Sequence, residues 1–236
     1  MSDTAAAPIR QLDGLERMRS PAVSINSHHY ISLSLLNRWV EEVAVPAAHG
    51  EMLDYGCGGQ PYRALFETRV SRYVGADVSL ARGIVPDVLF EPGKQIPLAD
   101  HSFDTIASTQ VLEHVADPHF YLSECDRLLR SRGTLLISVP MQWRHHEVPF
   151  DYWRFTRYGL INLLESHRFE IESIASCGGT FALLGQILTS HLDEHGSRKQ
   201  WAIRLINRVA LWLDRRHPDS EETLLWMCVA RKVAAS

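Results

Sequence analysis

One stretch, Glu51-Met-Leu-Asp-Tyr-Gly-Cys-Gly-Gly-Gln60, constrains this chain more than any other: an apolar strand runs straight into a glycine-rich turn. Residues without a Cβ adopt positive φ at little cost and let a ligand approach the backbone, so a strand ending in such a turn implies a nucleotide-like cofactor. A Gly-x-Gly alone is a weak sign, because plain tight turns also use glycine. Two further features sharpen it. A dinucleotide fingerprint calls for another glycine three places after Gly58, but Pro61 stands there and Asp54 ends the strand beside the turn, which disfavours NAD. About twenty residues beyond Gly56, Tyr73-Val-Gly-Ala-Asp77 is a second apolar strand ending in a carboxylate, where sheets of this kind hold ribose hydroxyls through short, charge-assisted hydrogen bonds.

The same rhythm continues along the chain. Short apolar runs at Met52–Tyr55, Tyr73–Ala76, Val88–Phe90, Thr105–Ser108, Thr134–Val139, Phe169–Ile174 and Thr223–Val229 alternate with helical stretches, the βαβ pattern of a parallel sheet. Ile31, Leu35, Leu36, Trp39, Val40 and Val43 recur at helical spacing and predict a first amphipathic helix up to Pro46. Val111–Val115 and Phe120–Leu129 read as helices, Arg130-Ser-Arg-Gly133 as the turn closing the second, and Thr156 as the cap of a helix through Leu160–Leu164. A helical insertion is expected at about 181–218, inside one domain over 25–236 that follows a mobile tail, 1–24. In that insertion Trp201, Leu205, Val209 and Trp212 or Leu213 form an apolar stripe opposite Arg204, Asn207, Arg208 and Arg215. Such a stripe is a core face, or else a surface at 201–215 that rests on a membrane or a second subunit.

Composition narrows the function. A net charge of −4 and a sequence pI near 6.3 disfavour a chain built to neutralise phosphates, so no nucleic-acid partner is expected. The four cysteines, Cys57, Cys125, Cys177 and Cys228, match no zinc or disulfide spacing and suit a reducing cytoplasm. The first residues carry no export pattern and no run spans a bilayer, which adds to the expectation of a cytoplasmic protein.

The runs Leu53-Asp-Tyr-Gly-Cys-Gly58, Val74-Gly-Ala-Asp-Val-Ser79, Ser102-Phe-Asp-Thr-Ile106, Gln110-Val-Leu-Glu-His114 and Leu128-Leu-Arg-Ser-Arg-Gly133 together resemble class I S-adenosylmethionine-dependent methyltransferases of the small-molecule, type 11-like kind. The resemblance covers roughly Met52 to Ile174. It implies a Rossmann-like, doubly wound, mostly parallel seven-stranded α/β sheet with helices on both faces and the helical insertion before the last strand. It also implies S-adenosyl-L-methionine as cofactor. Position by position, Asp54, Gly56, Cys57 and Gly58 would surround the methionine part, Asp77 the ribose and Val78 the adenine. Glu91 stands near the family's acidic adenine contact, with an alignment that slips by a residue or more, and Gln110 and Val111 would line the methionine end. The single glycine of Arg130–Gly133 departs from the family's Pro-Gly-Gly but still serves the turn. Glu113 is expected to pack or cap, and His114 to shape the cofactor pocket.

The loop after the fifth strand, Pro140-Met-Gln-Trp-Arg-His-His-Glu-Val-Pro-Phe-Asp-Tyr-Trp-Arg-Phe-Thr156, concentrates histidine, carboxylate and aromatic side chains where open α/β sheets bind ligands. It is expected to line the acceptor pocket, with His146 as general base, His145 as the second choice, Asp151 orienting either, and Tyr152, Trp153 and Arg154 as substrate contacts. A similar His-x-x-Pro-x-Asp-x-Trp-Arg-Phe-Thr run occurs in bacterial methyltransferases that look like modifiers of sugars or secondary metabolites. His145, His146, Glu147 and Asp151 also carry metal-ligand chemistry, but adjacent histidines on a strand point apart, so no metal is expected. The expected function is methyl transfer to a small-molecule acceptor by a monomer or homodimer. The alternatives are an RNA or protein methyltransferase and a non-catalytic S-adenosylmethionine-binding protein.

Overall fold

The computed structural model describes residues 20–78, 85–194 and 200–234. The expected mobile tail therefore lies largely outside the described residues. The first helix, α1 (Tyr30–Trp39), continues through a π-helical turn (Val40–Ala44) into α2 (Val45–Ala47). There follow β1 (Glu51–Tyr55), α3 (Arg63–Phe66), β2 (Arg72–Asp77), β3 (Val88–Leu89), β4 (Phe103–Thr109), a 3-10 turn (Leu112–His114), α4 (Pro118–Leu128) and β5 (Leu129–Pro140). The chain then forms α5 (Arg157–Glu165), β6 (Phe169–Cys177), α6 (Thr180–Glu194), α7 (Gln200–Arg216) and β7 (Leu225–Lys232).

The seven strands make one sheet in the order β3-β2-β1-β4-β5-β7-β6. β7 runs antiparallel to both its neighbours, and every other pairing is parallel. The chain leaves β1 towards β2 and β3, then returns to lay β4 on the other side of β1. That reversal opens a crevice at the carboxyl ends of β1 and β4, the place at which sheets of this topology bind ligands. Alternate residues of the central strands feed two cores: Leu53, Leu135 and Ile137 pack with α4 and α5, whereas Met52, Leu136 and Met227 pack with α1. Burial on both faces is why these strands read as apolar runs without polar alternation.

The helix starts are as local chemistry demands. Asp117 accepts hydrogen bonds from the amides of His119 and Phe120, both at 3.0 Å, with Pro118 in the first turn of α4. Thr156 accepts from the Gly159 amide at 3.1 Å and caps α5.

Three boundaries differ from the sequence reading. Arg130–Gly133 is no closing turn: β5 begins at Leu129, paired with Phe103, and the register shifts before Thr105 meets Thr134. The excursion is held by Arg130, whose guanidinium donates to Asp104 at 2.5 Å and to Glu51 at 3.2 Å. β7 runs to Lys232, because that lysine is buried and its ammonium donates to the carbonyls of Leu129, at 3.0 Å, and Asp126. Between Val111 and Val115 only a 3-10 turn forms, over Leu112–His114.

The insertion is the pair α6 and α7, and its packed face is not the apolar stripe. Ile203, Asn207 and Ala210 are buried, while Trp201 (67% exposed), Leu205, Val209 and Trp212 face outward. Asn207 turns the helix this way: its amide donates to the carbonyls of Ile25 and Ser27 at 2.8 and 2.9 Å, tying α7 to the segment before α1. No described helix is long and apolar enough to cross a membrane.

Candidate functional site

The glycine turn is built as its composition predicts. Gly56 and Gly58 take positive φ, +83° and +49°. The amides of Gly56 and Cys57 both donate to the Ala76 carbonyl, at 2.8 and 3.1 Å, and the Gly58 amide donates to Asp77 Oδ2 at 2.8 Å. The turn is thus strapped to the end of β2. A Cβ on Gly56 would stand 2.5 Å from Val111 Cγ2, so only glycine lets Val111 close over it. Gln110 adopts φ +57° as β4 ends; its amide donates to the Ser138 carbonyl at 3.0 Å and its side chain to Ser138 Oγ at 3.1 Å. A backbone held in that region marks a place where the fold accepts strain to aim a side chain.

A cleft of about 170 Å³ runs from this turn towards the loop after β5, with α1 along one wall. Gly56, Cys57, Gly58 and Gln110 line one end, and His114, His146 and Glu147 the other. Asp77 is buried just beneath the turn, and Val78 is half-buried beside it. Five expected cofactor contacts, Asp54, Asp77, Val78, Glu91 and Val111, do not line the cleft. Asp54 is buried behind the turn, where Tyr73 donates its hydroxyl to it, and burial pushes its carboxyl up to about 7. Glu91 is exposed and does not line the cleft.

In the loop, Asp151 and Arg154 pair with each other. Arg154 donates to both Asp151 oxygens, at 2.6 and 2.9 Å, and its other bonds go to the carbonyls of Trp143, Arg144 and Trp153. Asp151 also accepts from the His146 amide at 3.1 Å. Burial alone would raise the Asp151 carboxyl, but Arg154 and the His146 amide outweigh it and bring it down to about 2. The pair is a fixed ionic brace that shapes the loop, and Arg154 is committed to that brace, away from the cleft. Tyr152 and Trp153 are a little under half exposed; their amides donate to the Glu113 carbonyl at 2.9 and 3.2 Å, and the Trp153 indole to the Val115 carbonyl at 2.8 Å. They dock the loop on the 3-10 turn. His145 has its side chain 92% exposed and lies outside the cleft.

His146 is the residue expected to act as general base. It faces the cleft, its Nδ1 lies 3.2 Å from the Arg144 carbonyl and 3.5 Å from Asp151 Oδ2, and burial holds its pKa below the usual imidazole value.

Beside His146 the fold places two residues that were expected only to pack, cap or shape the cofactor pocket. His114 packs edge-on against the His146 ring, with centroids 4.6 Å apart, and its Nδ1 lies 2.8 Å from the Phe150 carbonyl. Glu113 is fully buried, and neither carboxylate oxygen has a hydrogen-bond partner. Burial, with the nearby Glu147 adding to it, pushes the Glu113 carboxyl up to about 8. Glu113, His114 and His146 thus form the one three-residue grouping among the described residues with metal-ligand spacing. The sign in the sequence was a Glu-His pair next to a strand end, which packing roles account for equally well.

With that geometry in place, the likenesses to other proteins take on meaning. The family described as Methyltransferase domain matches residues 53–137. Over 145 residues the chain is 30% identical to a probable S-adenosylmethionine-dependent methyltransferase of Mycolicibacterium smegmatis, covering 56% of each chain. Over 99 residues it is 33% identical to a ubiquinone biosynthesis O-methyltransferase of Dinoroseobacter shibae, covering 37% of this chain and 40% of that one. The chain thus spans about half the length of the curated relatives it matches. A SAM-dependent methyltransferase from Archaeoglobus fulgidus has the same fold, with TM-score 0.55 and 17% identity over 85% of this chain and 94% of that one. So does the cyclase SpnF, with TM-score 0.57 and 21% identity over 86% and 82%. A cyclase among the neighbours shows why the reaction has to be argued from the site.

Proposed function

We propose, from the premise that the chain belongs through residues 53–137 to the class I S-adenosylmethionine-dependent methyltransferases, that it transfers the cofactor's methyl group to a hydroxyl or amine of a small molecule such as a sugar or secondary metabolite. The observation that carries this reading is the single cleft joining the glycine turn to His146.

The residues present fit the cofactor. The backbone of Gly56 to Gly58 and the side chains of Gln110 and Val111 would hold its methionine end, and glycine at 56 leaves room for Val111 beside the turn. The Asp77 carboxylate at the end of β2 would accept ribose hydroxyls, with Val78 against the adenine. When bound, S-adenosylmethionine supplies a methyl group already activated by its sulfonium. The chain's own contribution is chiefly placement, which lowers barriers of this kind by up to about 7–11 kcal/mol. His146, kept neutral near pH 7 by burial and turned by Asp151, takes the proton from an acceptor hydroxyl. The size of the cleft and the net charge of −4 favour a small acceptor over RNA. The O-methyltransferase named among the relatives is consistent with a hydroxyl acceptor.

The test is an assay for S-adenosylhomocysteine release across a panel of small hydroxylated and amino acceptors, with RNA and protein alongside. For the acceptor that turns over, His146→Ala is expected to lower kcat by about a hundredfold while calorimetry finds the cofactor Kd unchanged. Turnover only on RNA or protein would overturn the acceptor class. Loss of cofactor affinity in His146→Ala would make the loop structural.

A further inference from the structure

We infer that Glu113, His114 and His146 form a binding site for a divalent transition-metal ion at the acceptor end of the cleft. This goes beyond methyl transfer and does not depend on it. It also runs against the expectation of no metal, which rested on neighbouring histidines of one loop; here the ligands come from two segments that only the fold brings together.

The first support is position. One ligand-type atom from each of the three residues lies within 4.8 Å of the others, and His114 Nε2 is 3.9 Å from Glu113 Oε1. Bonds of about 2.0–2.1 Å to nitrogen place tetrahedral ligands roughly 3.3 Å apart, so small side-chain rotations close the set onto an ion. A second carboxylate is within reach, Glu147 Oε2 at 3.8 Å from His114 Nε2. Two imidazoles and a carboxylate leave coordination positions open, as catalytic sites do and closed structural sites do not.

The second support is independent of that spacing. Glu113 is completely buried with both carboxylate oxygens unpartnered, and it lines the cleft. An unsatisfied carboxyl costs free energy in a protein interior, and a cation beside it removes that cost.

The third is the orientation of the rings. With its Nδ1 hydrogen directed to the Phe150 carbonyl, His114 carries its lone pair on Nε2, the atom nearest the two carboxylates. The His146 Nδ1, between the Arg144 carbonyl and Asp151, has the same arrangement. A backbone carbonyl or carboxylate behind the non-ligating nitrogen is the usual support of a metal-binding histidine. An ion here would accept a hydroxyl of the acceptor at an open position and lower its pKa, taking over the task that the His146 imidazole has in the metal-free chain.

Cobalt(II) is the probe. Titrated into chelator-treated, dialysed protein without cofactor or acceptor, it is expected to give visible d–d absorption saturating at one equivalent, and zinc should displace it. Glu113→Gln and His146→Ala should each weaken binding at least about tenfold. Thermal melts check that both variants are folded, and His146→Ala, in a partly exposed loop, keeps the test available if Glu113→Gln is not. His145→Ala should bind as the parent does. Absence of the absorption, binding that survives both site variants, or loss of binding in His145→Ala would each overturn the site. Because the readout uses no cofactor, its failure leaves the methyl-transfer reading standing, and the converse also holds.

Discussion

Asp54, next to last in β1, holds a carboxyl group in the wrong solvent for its charge. Burial raises it from 3.8 to about 7, and the Tyr73 hydroxyl that donates to it does not offset the loss of water. The folded chain therefore holds a proton there that the unfolded chain has lost, so this contribution is complete below about pH 4 and fades as pH rises through about 7. Asp54→Asn, which can still accept from Tyr73, is expected to remove that slope. Urea denaturation at pH 5 and pH 8 should find the parent losing about 2–3 kcal/mol more than the variant across the interval. Equal slopes would mean that Asp54 is ionised in the folded state. At this scale the sequence was legible where backbone decides: Gly56 and Gly58 take the positive φ that their type allows. It was illegible where a side chain's partner decides. Arg154 in a ligand-rich loop reads as a substrate contact, and its role as the Asp151 brace depends on the loop's final shape.

Helices α6 and α7 pack at a point of very close approach. A Cβ added at Gly185 of α6 would stand 2.4 Å from the Ala210 Cβ of α7 and 2.8 Å from Ile31 Cδ1. Gly185→Ala improves helix propensity by up to about 1 kcal/mol, yet the contact leaves no space for the methyl and forces the helices apart. The expected net effect is a loss of about 1–2 kcal/mol, seen as a lower melting temperature. A gain would show that α6 and α7 shift freely. The insertion was predictable as helical, because an apolar stripe at helical spacing is a local property. Which face it buries was not, since the face carrying Ile203 and Ala210 is chosen by the buried bonds of Asn207 to Ile25 and Ser27, about 180 residues away in sequence.

A ligand that binds only the folded chain raises its stability by mass action, about 2.7 kcal/mol at a hundred times its Kd. For a chain of this size that corresponds to a rise in Tm of roughly 5–10 °C. S-adenosylmethionine is expected to produce it in a thermal melt and NAD is not, since Pro61 occupies the place of the dinucleotide glycine. A shift with NAD alone would reverse the cofactor assignment. The α/β class, the strand runs, the glycine turn and the carboxylate of β2 all follow from the sequence by itself, because each is a matter of local periodicity or backbone freedom over a few neighbouring residues. Only the tertiary structure decided that β4 returns beside β1 to open the crevice, that Asp54 sits behind the turn, and that Glu113 and His114 meet His146 across it. Those are relations between segments distant in the chain, and the free energy of packing a whole sheet and its loops sets them.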